Sequence, residues 1–191
     1  MIRAIIFDCF GVIVDDALSA MNAELAAKDP DSVERIRALL YRANTGKIEA
    51  EESSAAIAEI FGLTYADYRK QLEKYEVKDQ LLLDYILELR RTYKTALLSN
   101  IPNRSLLRRF TTKELDKYFE TAVASGEIGY AKPEARAYEI TADRLSVRLD
   151  ECVFIDDREG YCEGARAVGM QSILYKGFDQ FRTDLEALLE K

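Results

Sequence analysis

The residues that can do chemistry in this chain stand at the ends of short apolar runs. Asp8 directly follows Arg3-Ala4-Ile5-Ile6-Phe7 and precedes Cys9-Phe10-Gly11-Val12-Ile13-Val14-Asp15-Asp16. A β-branched and aromatic run of that length, closed by a glycine-containing turn, reads as a buried strand of a parallel sheet. Open α/β sheets bind ligands beyond the carboxyl ends of their strands, so Asp8 stands where a nucleophile or a metal ligand would stand. Alone, such an aspartate reads first as a turn cap. Three further segments change that reading. The apolar run 95–98 leads into Ser99-Asn100, Ala122-Val123-Ala124 is followed by Gly129-Tyr130-Ala131-Lys132-Pro133-Glu134, and Cys152-Val153-Phe154-Ile155 leads into Asp156-Asp157. A hydroxyl and a free backbone N–H at a strand end can donate to the oxygens of a bound anion without adding charge, although alone a Ser-Asn pair reads as a turn. A positioned lysine can neutralise negative charge at such a site, although most lysines are simply solvent-exposed. Two adjacent acids beyond a wholly apolar strand are poorly explained by helix capping alone.

The elements that must position these residues alternate. A helix over 81–91 precedes a strand over 94–98, and a helical region over 103–117 precedes a strand around Ala122. A helix over 134–145 precedes the strand at 152–155, a helix over 161–168 precedes a strand over 171–174, and a last helix fills 178–189. Strands alternating with helices indicate βαβ units and a parallel sheet. The stretch from about Leu18 to Tyr75 differs. Its apolar residues Val33, Ile36, Leu39, Leu40 and Ile57, Ile60, Phe61 recur at helical spacing. Gly46 and Gly62 follow helical patterns, and Asp31-Ser32 and Thr64 are expected N-caps. About four short helices are therefore inserted after the first strand.

Composition narrows the chemistry. The chain has 191 residues, 48% hydrophobic and 32% charged, enough for one core with a small insert. A net charge of −7 argues against nucleic-acid or acidic-membrane binding. The chain has no histidine, which excludes histidine triads, histidine general bases and ordinary histidine metal sites. Cys9, Cys152 and Cys162 lack metal-ligand spacing and read as small hydrophobes in a reducing compartment. No apolar stretch reaches the ~20 residues of a membrane span, and no signal-peptide pattern is present, so a cytoplasmic location is expected.

In order and local context, Asp8, Ser99-Asn100, Lys132 and Asp156-Asp157 resemble the four motifs of the haloacid dehalogenase-like hydrolase superfamily. The resemblance runs from Asp8 to Gly169. Ser99-Asn100, Lys132-Pro133-Glu134-Ala135-Arg136, and Phe154-Ile155-Asp156-Asp157 with Glu163-Gly164-Ala165-Arg166 look most like the branch that holds small sugar-phosphate phosphatases and the phosphatase domain of soluble epoxide hydrolases. The resemblance implies an α/β fold: a Rossmann-like three-layer core formed by 1–16 and 80–191, with a small helical cap of C1 type at 17–79. It implies a Mg²⁺-dependent phosphatase acting on a small phosphorylated metabolite, a sugar phosphate or a nucleotide-like compound, through an aspartyl-phosphate intermediate. Asp8 would be the nucleophile, Ser99, Asn100 and Lys132 would bind the phosphate, and Lys132 would also serve catalysis. Mg²⁺ would sit on Asp8, the Phe10 carbonyl and the pair Asp156 and Asp157, with Asp157 the preferred direct ligand. No nucleic-acid or membrane partner is expected, and the protein would act as a monomer or homodimer.

One position departs from the pattern. Phosphatases of the superfamily commonly carry a second aspartate two residues after the nucleophile, which protonates the leaving group and activates water. Phe10 occupies that place. General acid–base catalysis is worth on the order of 10² to 10⁴ in rate, so slow turnover or a good leaving group is expected. Asp15 and Asp16, at the hinge of the insert, read as a solvated pair. The runner-up is a 2-haloacid dehalogenase, a branch that carries an aromatic residue at this place and needs no metal, but typically lacks the acidic pair. A third reading keeps the fold and phosphate site without turnover. Within the insert, the polar stretch from Tyr41 to Lys47 reads as substrate-facing or as surface loop, and Tyr65, Tyr68 and Tyr75 read as packing.

Overall fold

Strands without polar alternation must be covered on both faces, and this requirement organises the molecule. The structure, a computed structural model, describes residues 1–190. Strand β1 (Ala4–Phe7) is buried along its whole length. It forms the middle of a five-stranded parallel sheet with β2 (Lys94–Ser99), β3 (Thr121–Ala124), β4 (Cys152–Asp156) and β5 (Gln171–Leu174), in the order β3-β2-β1-β4-β5. Phe7 pairs with Leu97 on one side and Ile155 on the other. One residue further on, Asp8 therefore emerges beside Asp156, and its N–H donates to the Ile155 carbonyl at 2.8 Å.

Helices cover both faces. On one, Leu82, Leu83 and Ile86 of α5 (Gln80–Leu89), Tyr118 of α6 (Thr112–Tyr118) and Phe181 and Leu185 of α10 (Phe178–Leu189) pack with Ile5, Phe7, Leu97, Val153 and Ile155. On the other, Ala137, Tyr138 and Leu145 of α8 (Ala135–Leu145) and Ala165 of α9 (Glu159–Ala167) pack with Ile6, Ala96, Leu98 and Phe154. A short α7 (Ser125–Ile128) follows β3 directly. These are the three layers expected of the sequence.

Between β1 and α5 lie α1 (Ala17–Ala26), α2 (Pro30–Asn44), α3 (Ala50–Ile60) and α4 (Tyr65–Tyr75). They enclose a hydrophobic cluster of their own, with Ala17, Ile36, Ile57, Ala58, Tyr68 and Leu72 buried in it. Tyr68 stacks on Phe61 and is packing, as expected, whereas Tyr65 and Tyr75 at the two ends of α4 are exposed. The chain enters and leaves this segment along adjacent paths: Asp15 N–H donates to the Val77 carbonyl at 3.0 Å, and Asp79 N–H donates to the Ile13 carbonyl at 2.8 Å.

Local expectations are corrected at three places. The cap of α2 is Asp29, whose carboxylate accepts from Ser32 N–H at 3.1 Å and Ser32 Oγ at 2.6 Å, and Asp31-Ser32 lies inside the first turn. Pro30, preset for the first helical position, moves the start upstream. The region 103–117 is not one helix. A 3₁₀ turn over Ser105–Arg108 ends before Thr111, whose side chain and Glu114 form a capping box that starts α6. Helix α9 begins at Glu159, two residues before the expected start. Thr64 does cap α4, accepting from Asp67 N–H at 3.1 Å.

Candidate active site

Three strand ends, those of β1, β2 and β4, meet the loop that follows α7 at the carboxyl edge of the sheet. Lys132 Nζ lies 2.7 Å from Asp8 Oδ1 and 2.7 Å from Asp156 Oδ2, with its side chain fully buried. The ammonium also sits 5.1 Å from the Phe154 ring centroid and 5.0 Å from that of Tyr161. Lys132 is fixed from behind by Asn100, whose Nδ2 donates to the Lys132 carbonyl and whose Oδ1 accepts from the Lys132 N–H, both at 2.8 Å. Arg158 N–H donates to Asp156 Oδ1 at 2.9 Å. Ser99 is buried beside this group at the end of β2.

Asp157 approaches from the turn after β4. Gly11, at φ +83°, makes room for it: a Cβ there would collide with Asp157 Oδ2. One oxygen from each of Asp8, Asp156 and Asp157 lies within 4.8 Å of the others. Three carboxylates this close, away from water, resist ionisation. Burial pushes the Asp8 carboxyl up to about 6, against the pull of Lys132. Burial likewise raises Asp156 and Asp157. Burial alone would lower Lys132, but Asp8 and Asp156 outweigh it and hold the ammonium charged.

Asp8, Phe10, Ser99, Asn100 and Lys132 all face one cavity of ≈ 720 Å³. The same cavity is walled by α1 and α2. The structure thus brings together Asp8, Phe10, Ser99, Asn100 and Lys132 in one cavity, and Asp156 and Asp157 against Asp8. Of the stretch 41–47, Tyr41 and Asn44 face the cavity, and at the hinge Asp16 does so. Asp16 is not a free solvated acid: it caps α1 and pairs with Arg158 at 3.0 Å.

Sequence reasoning missed a second ion pair in the wall. Arg109 Nε and one terminal nitrogen bind the two Glu76 oxygens at 2.8 and 2.6 Å. The guanidinium lies 5.0 Å from the Phe10 ring centroid. Phe10 therefore carries a stacked cation above it where the superfamily's second aspartate would be. Glu76 and Arg109 are 33 residues apart in unrelated local contexts, and no sequence signal joins them.

The family model for haloacid dehalogenase-like hydrolases matches residues 2–169. This chain belongs to that family. D-ribitol-5-phosphate phosphatase of Bacteroides thetaiotaomicron is 26% identical over 204 residues, spanning 99% of both chains. (S)-2-haloacid dehalogenase 1 of a Pseudomonas species is 27% identical over 198 residues, 90% of this chain and 83% of that one. A solved haloacid dehalogenase family enzyme of Bacteroides thetaiotaomicron, in complex with magnesium and inorganic phosphate, superposes with a TM-score of 0.73 at 22% identity, over 92% of this chain and 95% of that one. That likeness confirms the three-layer parallel fold.

The residues of this haloacid dehalogenase-like hydrolase fit a hard divalent cation. All candidate donors are oxygens, as Mg²⁺ prefers. Asp157 Oδ1 is buried without a hydrogen-bond partner. Among the described residues no backbone N–H in a turn, loop or cap donates to the carbonyl of Phe10, which shares the cavity with Asp8. An unpartnered buried carboxylate oxygen costs free energy, and a bound cation would relieve that cost.

Proposed function

We propose that this haloacid dehalogenase-like hydrolase is a Mg²⁺-dependent phosphatase that hydrolyses a small phosphorylated metabolite through an aspartyl-phosphate on Asp8. The observation that carries this reading is the Asp8–Lys132–Asp156 chain with 2.7 Å contacts, beside an Asp157 oxygen that lacks a partner. Asp8, Asp156, Asp157 and the Phe10 carbonyl would hold Mg²⁺. When bound, the ion would offset negative charge between the nucleophile and the phosphoryl group.

The chain's own residues do the rest. Asp8 Oδ1 is held by Lys132, which leaves Oδ2 to attack phosphorus. As the new O–P bond forms, the ester P–O bond breaks and the alcohol leaves. Water then attacks the aspartyl-phosphate, which frees inorganic phosphate and restores the Asp8 carboxylate. Ser99 and the strand-end backbone bind phosphate oxygens, and Asn100 holds Lys132 in register. Phe10 supplies no proton, so the leaving oxygen takes its proton from solvent. That makes turnover of poor leaving groups slow. Residues 17–79 act as a cap that closes the cavity over a core formed by 1–16 and 80–191. The three buried free thiols suit a reducing cytoplasm, where the protein acts as a monomer or homodimer.

The test is phosphate release from p-nitrophenyl phosphate with added Mg²⁺ and with excess chelator. The reading expects activity only with metal, and a weakened Mg²⁺ requirement curve for Asp157→Ala. A second reading, 2-haloacid dehalogenase, is favoured by Phe10 and by the 27% identical dehalogenase relative. Chloride release from 2-chloropropionate in chelator, with no phosphate release under any condition, would replace the first reading by the second.

A further inference from the structure

The helices α1 and α2 bring to the cavity side chains with unspent hydrogen-bonding capacity. Asn22 on α1 and Asn44 at the last residue of α2 both line the cavity. The Oδ1 atom of each is buried and without a partner. A carboxamide is both acceptor and double donor, so two such groups in one wall present acceptors and donors together. A hydroxyl, which also donates and accepts, satisfies them whichever way each amide is turned. A carboxylate can only accept and an ammonium can only donate.

Charge in the wall points the same way. Each cation that lines the cavity has a carboxylate partner: Lys132 with Asp8 and Asp156, Arg109 with Glu76, Arg158 with Asp16, and Arg37 with Glu34. No unpaired cation among the described residues of the wall waits for a second anion. Apolar side chains also line the cavity, among them Leu18, Val33, Leu40 and Leu72, which suits C–H faces of a carbon chain.

We propose that Asn22 and Asn44 form a hydroxyl-binding subsite, so that the substrate is the phosphate monoester of an uncharged polyhydroxylated chain. This rests on the phosphatase reading only for the fate of the phosphate. The subsite itself is a statement about binding.

The experiment compares ribitol 5-phosphate with n-pentyl phosphate, which has the same chain without hydroxyls, and with 2-phosphoglycolate, which adds a carboxylate. Calorimetric affinity for the Asp8→Asn protein and kcat/KM for the wild type are both measured. Ribitol 5-phosphate is expected to lead both others. Each hydrogen bond lost is worth about threefold to tenfold in affinity. The double variant Asn22→Ala, Asn44→Ala should therefore lose about tenfold or more of the ribitol-over-pentyl ratio. Alanine is the best helix former, and thermal melts establish that the double variant is folded. Equal binding of the pentyl and ribitol esters, preference for phosphoglycolate, or a ratio that the double variant leaves in place would each overturn the subsite. Preferred binding of ribitol 5-phosphate without phosphate release from any ester would uphold the subsite and remove the phosphatase reading.

Discussion

Asp8 is expected to cost the protein stability in return for its chemistry, and Asp8→Asn exposes that cost. In the metal-free protein burial moves the Asp8 carboxyl from 3.8 to about 6. The folded state thus holds the Asp8 proton more tightly than the unfolded chain does. A group with a raised folded-state value stabilises fully below the unfolded value, and that contribution is lost as pH rises through the folded value. For Asp8 the window runs from about pH 4 to a little above pH 6, and the loss is on the order of 3 kcal/mol. Asparagine keeps the shape and never ionises, and Lys132 retains Asp156 at 2.7 Å. Asp8→Asn should therefore be more stable than wild type by about 3 kcal/mol near pH 8, or roughly 6–12 °C in Tm for a chain of this size. The gap should close toward about pH 4. Urea unfolding of both proteins in chelator across this range reads the difference directly, and phosphate release should be abolished in the variant at every pH. A variant less stable than wild type near neutrality, or a gap that does not change with pH, would refute the account of a buried, disfavoured carboxylate.

Phe10→Asp restores an acid where the ring now lies under Arg109; it should raise turnover of an alkyl phosphate more than that of p-nitrophenyl phosphate, whose leaving group needs no proton. An unchanged ratio in a folded, Mg²⁺-binding variant would show that the missing acid does not limit the reaction. Gly164→Ala places a Cβ 2.8 Å from both Pro133 Cβ and the Tyr138 hydroxyl; overpacking of this kind costs about 1–3 kcal/mol. Because Pro133 adjoins Lys132, kcat should fall with Tm, and a variant that loses neither would free Gly164 of this role. Burial pushes Tyr68 and Tyr175 up to about 12. Their contribution is full below pH 10 and is lost as pH rises through about 12, so alkaline titration of tyrosinate absorbance should show a late component coincident with unfolding. Ionisation of all 11 tyrosines in one step near pH 10 would contradict it.

The strand ends were legible because the sheet is buried on both faces. Runs such as Ala4-Ile5-Ile6-Phe7 and Cys152-Val153-Phe154-Ile155 admit few alternatives, and the polar residue after each run lands at one edge of the sheet. That the sheet would be parallel also came from the alternation of strands with helices. Less legible were the boundaries set by short-range competition. The helix capping box at Thr111 and Glu114 lies in the sequence as a threonine three residues before a glutamate, yet the apolar pattern around Leu106, Leu107 and Phe110 hides the break. Least legible were contacts made only by the tertiary fold. Arg109 meets Glu76, Arg158 meets Asp16, and Asn22 faces the same cavity as Asn44, and in each case the partners come from different elements. Such pairs have no periodicity to betray them.

The two backbone hydrogen bonds that join the paths into and out of the helical segment, Asp15 to Val77 and Asp79 to Ile13, carry an evolutionary consequence. They bring the two ends of the segment to neighbouring positions beside the turn that follows Asp8, so that the sheet meets the whole segment as a single closed loop. Closing a loop costs only about 0.6 kcal/mol more for each doubling of its length. The segment can thus be lengthened, shortened or exchanged at small cost to the sheet, while the strand ends that carry the carboxylates keep their register. A fold built this way can vary the inserted segment while the edge of the sheet stays as it is.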